Sequence, residues 1–491
     1  MNKTILKFAY CVAAVSLFTA CSTDEGFSPE EAKGYVNGAM STVDANGDRV
    51  SIDLSGATKG SVEVVSKGAV ESTDKELFQT NPDRAQYFGL FMLAKNKIAP
   101  DNGGENYLNI DWSGNDVNVN GQMMKNVWSV YRAINPDGTE AYNMDNVRVG
   151  AQYAKKVNGE VVTENVTEAD AEFTRLYFAD SKERYYPIGN YHKYSFYGYY
   201  PYYQTMKTNS GADQPKVTKE TDYVYVDFDK LDGTQDVIWG SAEPVEGTNE
   251  PFNLAYSAKY FRYLQNRDEY DKAIPPTMKF KHKMMMLTFS ITAGGTPINE
   301  NIKDEERHYE KAYNTTVKEI SITNAPSNVR LYVASKGTAH SSGELVYSLG
   351  TRSTKYVLKD TINGVPDQEW KGKSPQPKKD GDPYKKFENQ PDTITVGQGI
   401  ILPALSNEDR EKNPYALGLT MEYEGTTSSL LVPIRLDQIQ NFNVPFQPGY
   451  KYNIILKIYA PEKIELEATC EPWKDGDNPF FVDEDGTIPI H

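Results

Sequence analysis

Cys21 is the residue whose surroundings point most directly to chemistry. Lys3 and Lys7 make a basic start, Phe8 to Phe18 is a short and mostly apolar stretch, and Thr19-Ala20 places small residues before the cysteine. A thiol in that setting is a substrate for acylation: cleavage between Ala20 and Cys21 leaves Cys21 as a lipid-bearing N-terminus. The apolar stretch suits a signal-peptide core, because a helix needs about 20 apolar residues to span a bilayer. Phe18 stands where such a cleavage motif most often carries Leu. An ordinary secretory signal with a chance cysteine is the competing reading. The cut falling at the cysteine, and the polar turn straight after it, favour acylation.

No catalytic constellation emerges from the other reactive residues. The five histidines are His192, His282, His308, His340 and His491, and no pair of them has metal-ligand spacing. His282 shares the inward register of Phe280, Met284 and Met286, which suits a core histidine with a polar partner better than a ligand. Acid pairs of the glycosidase kind are spatial and do not show in a chain with 68 acidic residues. Asp44-Ala45-Asn46-Gly47-Asp48 looks like the start of a calcium loop, but its twelfth position is Ser55 rather than Glu, and a polar turn explains it better. The chain is therefore expected to be no enzyme, with no catalytic residues, no metal and no cofactor.

Composition narrows the partners. The chain has 491 residues, 52 basic and 68 acidic, for a net charge of −16. Nucleic acid rewards clustered Lys and Arg and is excluded as a partner. Beyond the first 20 residues no apolar run reaches spanning length, so the membrane is expected to be reached through lipid. Of three cysteines, Cys11 leaves with the signal and Cys21 takes the lipid. Cys470 remains, on the apolar register of Ile464, Leu466 and Ala468, where a buried inert thiol fits better than a nucleophile. An exported chain without an internal disulfide must be held by its apolar core.

Tyrosine is abundant, with 34 copies, and nine of them fall between Tyr185 and Tyr203. Tyr197, Tyr199 and Tyr200, with Trp112 and Trp128 elsewhere, are candidates for an aromatic binding surface. The competing reading is a strand over Tyr194 to Tyr199 whose rings pack on their neighbours, with Pro187 and Pro201 at its ends. That reading is favoured.

Strand patterns must position these residues. Val50 to Leu54, Val62 to Val64 and Tyr223 to Phe228 alternate with period two, and Val237 to Trp239 is a short strand. Tyr87 to Leu93 is nearly continuous in apolar residues and reads as a central strand. Phe280 to Ile291 reads as one long strand. Leu417 to Tyr423 and Leu430 to Ile434 flank Glu424-Gly425-Thr426, a hairpin whose Pro433 suggests a sheet edge. Tyr450 to Ile458 and the strand carrying Cys470 follow. Residues 255–271 carry the one helical pattern, through Tyr256, Tyr260 and Leu264. Residues 361–392 hold six lysines between Lys371 and Lys386 and read as a long surface loop. Many short strands and little helix predict an all-β chain of β-sandwich domains. The expected division is 1–20 signal peptide, 21–46 tether, 47–265 N-terminal β-sandwich domain and 266–491 C-terminal β-sandwich domain.

In chain order, several short motifs resemble the Bacteroidales fimbrillin-like lipoproteins. They are Tyr186-Pro187, Tyr194 to Pro201, Asp236 to Gly240, Phe280 to Met284 with Leu287 to Ile291, Gly449 to Ile454, and Pro472 to Gly476. Ser22-Thr23-Asp24-Glu25 also resembles the acidic tag that directs lipoproteins to the outer face of the outer membrane in Bacteroidetes. Residues 101–165 and 361–392 look like additions to a plain two-domain subunit.

The resemblance implies two tandem transthyretin-like β-sandwich domains, lipidation, and display on the outer membrane as part of a fimbria. It implies cleavage by a trypsin-like protease after an Arg, with Arg84 the first choice and Arg49 the second. Loss of an N-terminal strand such as Val50 to Leu54 would open a groove that a neighbouring pilin subunit fills with its own strand. Gly476 to Ile490 is the candidate donor. Surface glycans or proteins of a host or another bacterium are adhesive partners in this reading. The alternative is a surface glycan-binding lipoprotein of a polysaccharide-uptake system, with the same compartment and fold.

Overall fold

The structure is a computed structural model. It describes residues 87–94, 144–158, 160–166, 173–186, 194–202, 216–220, 222–233, 235–242, 278–294, 314–335, 338–347, 354–362, 365–369, 393–434, 446–461 and 463–472, with short pieces at 35–36, 39–40, 51–52, 62–63, 117–119, 122–124, 170, 256, 276, 311–312 and 373.

These residues are mostly strand, 64%, with almost no helix, and the chain is all-β. The largest sheet has eight strands. Phe88–Ala94 lies near its middle, between Tyr194–Tyr200 and Val147–Val157, and beyond Tyr194–Tyr200 come Ile238–Ala242, Met278–His282 and Val62–Glu63. The expected central strand at Tyr87 to Leu93 is there, with Phe88, Leu90, Phe91, Met92 and Leu93 all fully or nearly fully buried. A continuous apolar run suits a strand covered on both faces.

A four-stranded sheet packs on this one, in the order Lys216–Lys219, Tyr223–Phe228, Val329–Ser335, Glu344–Tyr347. Val224, Val226 and Phe228 point inward along the period of two. Tyr199 of the large sheet meets Phe228 edge-on, with ring centroids 6.3 Å apart.

Two further four-stranded sheets form the rest. One runs Ile394–Leu402, Met285–Ala293, Tyr450–Ala460, Lys463–Pro472; the other runs Thr354–Val357, Thr316–Ala325, Ala416–Tyr423, Thr426–Pro433. Along Tyr450–Ala460 burial alternates, with Tyr452, Ile454, Leu456 and Ile458 inside. The inward side chains of all four sheets join in one apolar cluster.

The expected single strand from Phe280 to Ile291 is two strands. Met278–His282 belongs to the large sheet and Met285–Ala293 to another. The break has a hydrogen-bond cause. The Lys283 N–H donates to the Val237 carbonyl, 2.7 Å, while the Met284 carbonyl accepts from the Gly449 N–H, 2.8 Å, so the backbone changes partners at this point.

Strand ladders also cross the expected division at 265/266. Met278–His282 pairs with Ile238–Ala242, and Val329–Ser335 pairs with Tyr223–Phe228.

The expected hairpin is present as Ala416–Tyr423 and Thr426–Pro433, joined by Glu424 and Gly425 at φ 49° and 77°. Two successive positive φ values make the tight turn whose twist matches the strands, and Gly takes its second position without strain. Thr426 already belongs to the strand. Thr426–Pro433 lies at the sheet edge, as Pro433 suggested.

The expected loop at 361–392 is in part a hairpin, Lys359–Ile362 with Val365–Glu369, and Lys373 bridges to Val317. The expected helix at 255–271 lies outside the described residues except for Tyr256, whose φ of 61° is not helical. A short helix is described at Asn407–Lys412, capped by the Ser406 hydroxyl accepting from the Asp409 N–H at 3.1 Å. Among the described residues no helix is long and apolar enough to cross a membrane.

Candidate functional site

The aromatic strand Tyr194–Tyr200 organises the region of interest. Its odd-numbered side chains face the second sheet, as the Tyr199–Phe228 contact shows, and its even-numbered ones face the other way. On that outer face Phe196 meets Tyr186 edge-on, centroids 6.4 Å apart, and Tyr256 at 5.9 Å. Phe88 lies against Tyr200 at 5.4 Å and Phe280 at 4.8 Å.

Tyr199 is seated by its neighbours. It pairs with Gly89 across the ladder, where an added Cβ would lie 2.1 Å from the ring. The missing side chain is the space that the ring occupies. The Tyr199 hydroxyl donates to Asn146 Oδ1 at 2.9 Å.

These contacts correct the surface reading of the cluster. Tyr197 and Tyr199 are fully or nearly fully buried, so these two rings are core and cannot stack on a sugar from outside, while Tyr200 is half-buried. Trp112 and Trp128 lie outside the described residues.

On this outer face the segment carrying Tyr186 meets a second piece of the chain. Ser51 bridges to Tyr185, and the Ile52 N–H donates to the Arg184 carbonyl at 2.7 Å. Ile52 is 4% exposed, an apolar side chain inserted into the main cluster. The acceptor side is held firmly. Arg184 donates to both carboxylate oxygens of Asp180, at 2.9 and 2.8 Å, and to the Lys182 carbonyl, at 2.9 Å. Its guanidinium also lies 4.3 Å from the Phe178 ring centre. The guanidinium hydrogen bonds hold the Asp180 carboxyl below the usual carboxylate range.

A second piece of the early chain docks at the sheet edge. Val62–Glu63 pairs in parallel with Met278 and Lys279. It covers two residues of a five-residue strand.

Behind this edge sits a buried polar pair, His282 and Asp236, both on motifs singled out above. His282 is therefore a core histidine with an acidic partner. Beside it the Trp239 indole N–H donates to the Val333 carbonyl at 2.8 Å, tying the two sheets together. Lys283 Nζ lies 5.6 Å from the Trp239 ring centre. Cys470 is half-buried on the inward register, opposite Tyr452. Among the described residues no group of three His, Cys, Asp or Glu side chains could hold a metal ion.

The other predicted sites, Ala20, Cys21, Arg49 and Arg84, lie outside the described residues. Sequence reasoning missed the partner of the N-terminal strip. Arg184, four residues after Asp180, was its one visible sign.

The fimbrillin-like family profile matches residues 132–473, more than two-thirds of the chain. The chain belongs to the fimbrillin-like family. Membership places it among fimbrial or adhesive subunits. No curated protein matches the chain. Among the solved structures similar to it at low scores are two fimbrial proteins. The fimbrial anchor protein Mfa2 from Porphyromonas gingivalis is 11% identical, over 67% of this chain and 89% of that one, with a TM-score of 0.24. The tip fimbrial protein Mfa3 from the same organism, with a C-terminal truncation, is 10% identical, over 67% of this chain and 95% of that one, with a TM-score of 0.28. Scores this low carry no argument about the role of this fimbrillin-like chain.

Proposed function

We propose that this fimbrillin-like chain is a non-catalytic subunit of a cell-surface fimbria, lipidated at Cys21 and assembled by strand exchange after proteolytic trimming. The family match supports the subunit role. The docking of Ile52 carries the mechanism. It is a short apolar insertion at the edge of an aromatic core, made by a segment that lies upstream of Arg84 in the chain.

The two docked pieces favour one cleavage site over the other. Ser51–Ile52 and Val62–Glu63 both follow Arg49 and precede Arg84. A cut after Arg49 keeps both in the mature chain. A cut after Arg84 releases both, uncovering the Met278–His282 edge and the Arg184–Tyr186 segment together. Unpaired backbone groups and an apolar slot are what an incoming strand requires. Each buried aliphatic side chain it inserts contributes about 1.5–3 kcal/mol, so a strand of several such residues dissociates slowly. Gly476 to Ile490 carries Phe480, Phe481, Val482, Ile488 and Ile490, and is the donor in this proposal.

The test is trimming with trypsin followed by incubation of the product. The expected result is an N-terminus after Arg84 and ladders on non-boiled gels that vanish when residues 476–491 are deleted. A product that stays monomeric after clean cleavage at Arg84 overturns the exchange mechanism.

A further inference from the structure

The Met278–His282 edge sorts its residues by face. Met278, Phe280 and His282 are 0%, 2% and 5% exposed and belong to the buried side. Lys279, Lys281 and Lys283 alternate with them along the chain. Lys281 stands opposite Trp239 in the ladder, and Lys283 Nζ lies 5.6 Å from the Trp239 ring centre, so both lysines are on the Trp239 side. Burial holds the Lys283 ammonium below the ordinary lysine value and the charge of Lys281 lowers it further, against a smaller opposing effect of Glu344. In a chain of net charge −16 this edge is locally basic.

The piece of early chain docked there has the matching pattern. Val62 stands opposite Met278, and Glu63 stands opposite Lys279. An apolar residue meets the buried position and an acid meets the lysine position. The pairing ends there, so Lys281 and Lys283 lie beyond it.

We propose that this edge selects its incoming strand by charge as well as by apolar fit, with Lys281 and Lys283 reading acids at alternate positions in the C-terminal segment of a neighbouring copy. This rests on the strand-exchange reading above and adds the residues that decide which strand is accepted. Gly476 to Ile490 carries the required alternation. Phe480, Val482, Ile488 and Ile490 share one parity, and Asp483 and Asp485 share the other. Successive side chains of a strand point to opposite faces. Seating Phe480 and Val482 on the Met278 and Phe280 side therefore puts Asp483 and Asp485 on the lysine side, whichever way the strand runs. Phe481 then falls on the side of Trp239. Opposite charges across a ladder stabilise the pair and like charges destabilise it. The net charge of each copy opposes this only weakly. At physiological ionic strength exposed charges more than about 8 Å apart are largely screened, whereas cross-strand neighbours lie about 5 Å apart.

The experiment follows ladder formation by the full chain, carrying Cys21→Ser to prevent acylation and trimmed after Arg84. Lys281→Gln with Lys283→Gln is expected to slow ladder formation about fivefold, and so is Asp483→Asn with Asp485→Asn. All four substitutions together are expected to slow it no further, because each pair of changes removes the same contacts. Glu484→Gln makes the same charge change on the opposite face of the strand and is expected to leave the rate at or above the parent's. Ladders at the parent's rate in the Asp483→Asn, Asp485→Asn chain overturn the charge reading while strand exchange stands, and that chain leaves the acceptor untouched. Effects that multiply to about 25-fold in the combined chain, or a Glu484→Gln chain slowed as much as the aspartate variant, overturn it in the same way. A parent chain that forms no ladders after clean cleavage overturns both readings together.

Discussion

His282 Nδ1 lies 2.5 Å from Asp236 Oδ2, and the two side chains are 2% and 0% exposed. The pair sits where the Ile238–Ala242 and Met278–His282 strands meet, His282 opposite Ile238. It fixes the register of two strands far apart in sequence. Removing one partner of a buried pair strands the other, at a cost of about 3–5 kcal/mol. Asp236→Ala is therefore expected to lower unfolding stability in urea by about 3 kcal/mol. A loss below about 1 kcal/mol would show that the pair contributes little.

Lys283 gives the opposite expectation. Burial holds its ammonium below the ordinary lysine value, and the charge of Lys281 adds to the effect. The unfolded chain then binds more protons than the folded one between the lowered value and the ordinary value, so stability rises with pH across that alkaline window. Below it the folded state carries the whole penalty. Lys283→Met is expected to match or exceed the parent's melting temperature at pH 7 and to flatten the alkaline rise. A drop of more than about 4 °C would mean that the contact with Trp239 outweighs the desolvation.

Gly89→Ala tests the seat of Tyr199. A methyl group there would overlap the ring, which has to leave its slot between Phe91 and Phe228. The expected loss is about 1–3 kcal/mol, and Tyr199→Leu in the same chain should recover part of it. Stability unchanged in Gly89→Ala would show that the ring is not held as described.

Ile52→Asp tests the docked strip. A carboxylate in that apolar slot detaches the segment rather than unfolding the sheets behind it. Trypsin is expected to cut after Arg84 at least about tenfold faster in the variant, because proteolysis follows local opening. An equal rate in both proteins would show that Ile52 does not restrain that cut.

Much of the fold was legible from the order of residues alone. Period-two runs placed Tyr223–Phe228, Ala416–Tyr423 and Tyr450–Ala460, because alternation along a strand follows from its geometry. The Glu424-Gly425 turn and Pro433 marked a hairpin and an edge for equally local reasons: a positive φ and a missing N–H. The ordered motifs from Tyr186 to Gly476 carried the family.

What only the tertiary structure decided was pairing. Nothing local says that Met278–His282 and Met285–Ala293 belong to different sheets. That split is made by the Val237 carbonyl and the Gly449 N–H, both distant in sequence. Nothing local says that Val329–Ser335 pairs with Tyr223–Phe228 across the expected division at 265/266. The tyrosines between Tyr194 and Tyr200 show the same limit. Tyrosine suits a buried sheet face and a wet surface alike. The choice rested on Gly89, Phe228 and Tyr186, residues whose nearness to those rings exists only after the chain has folded.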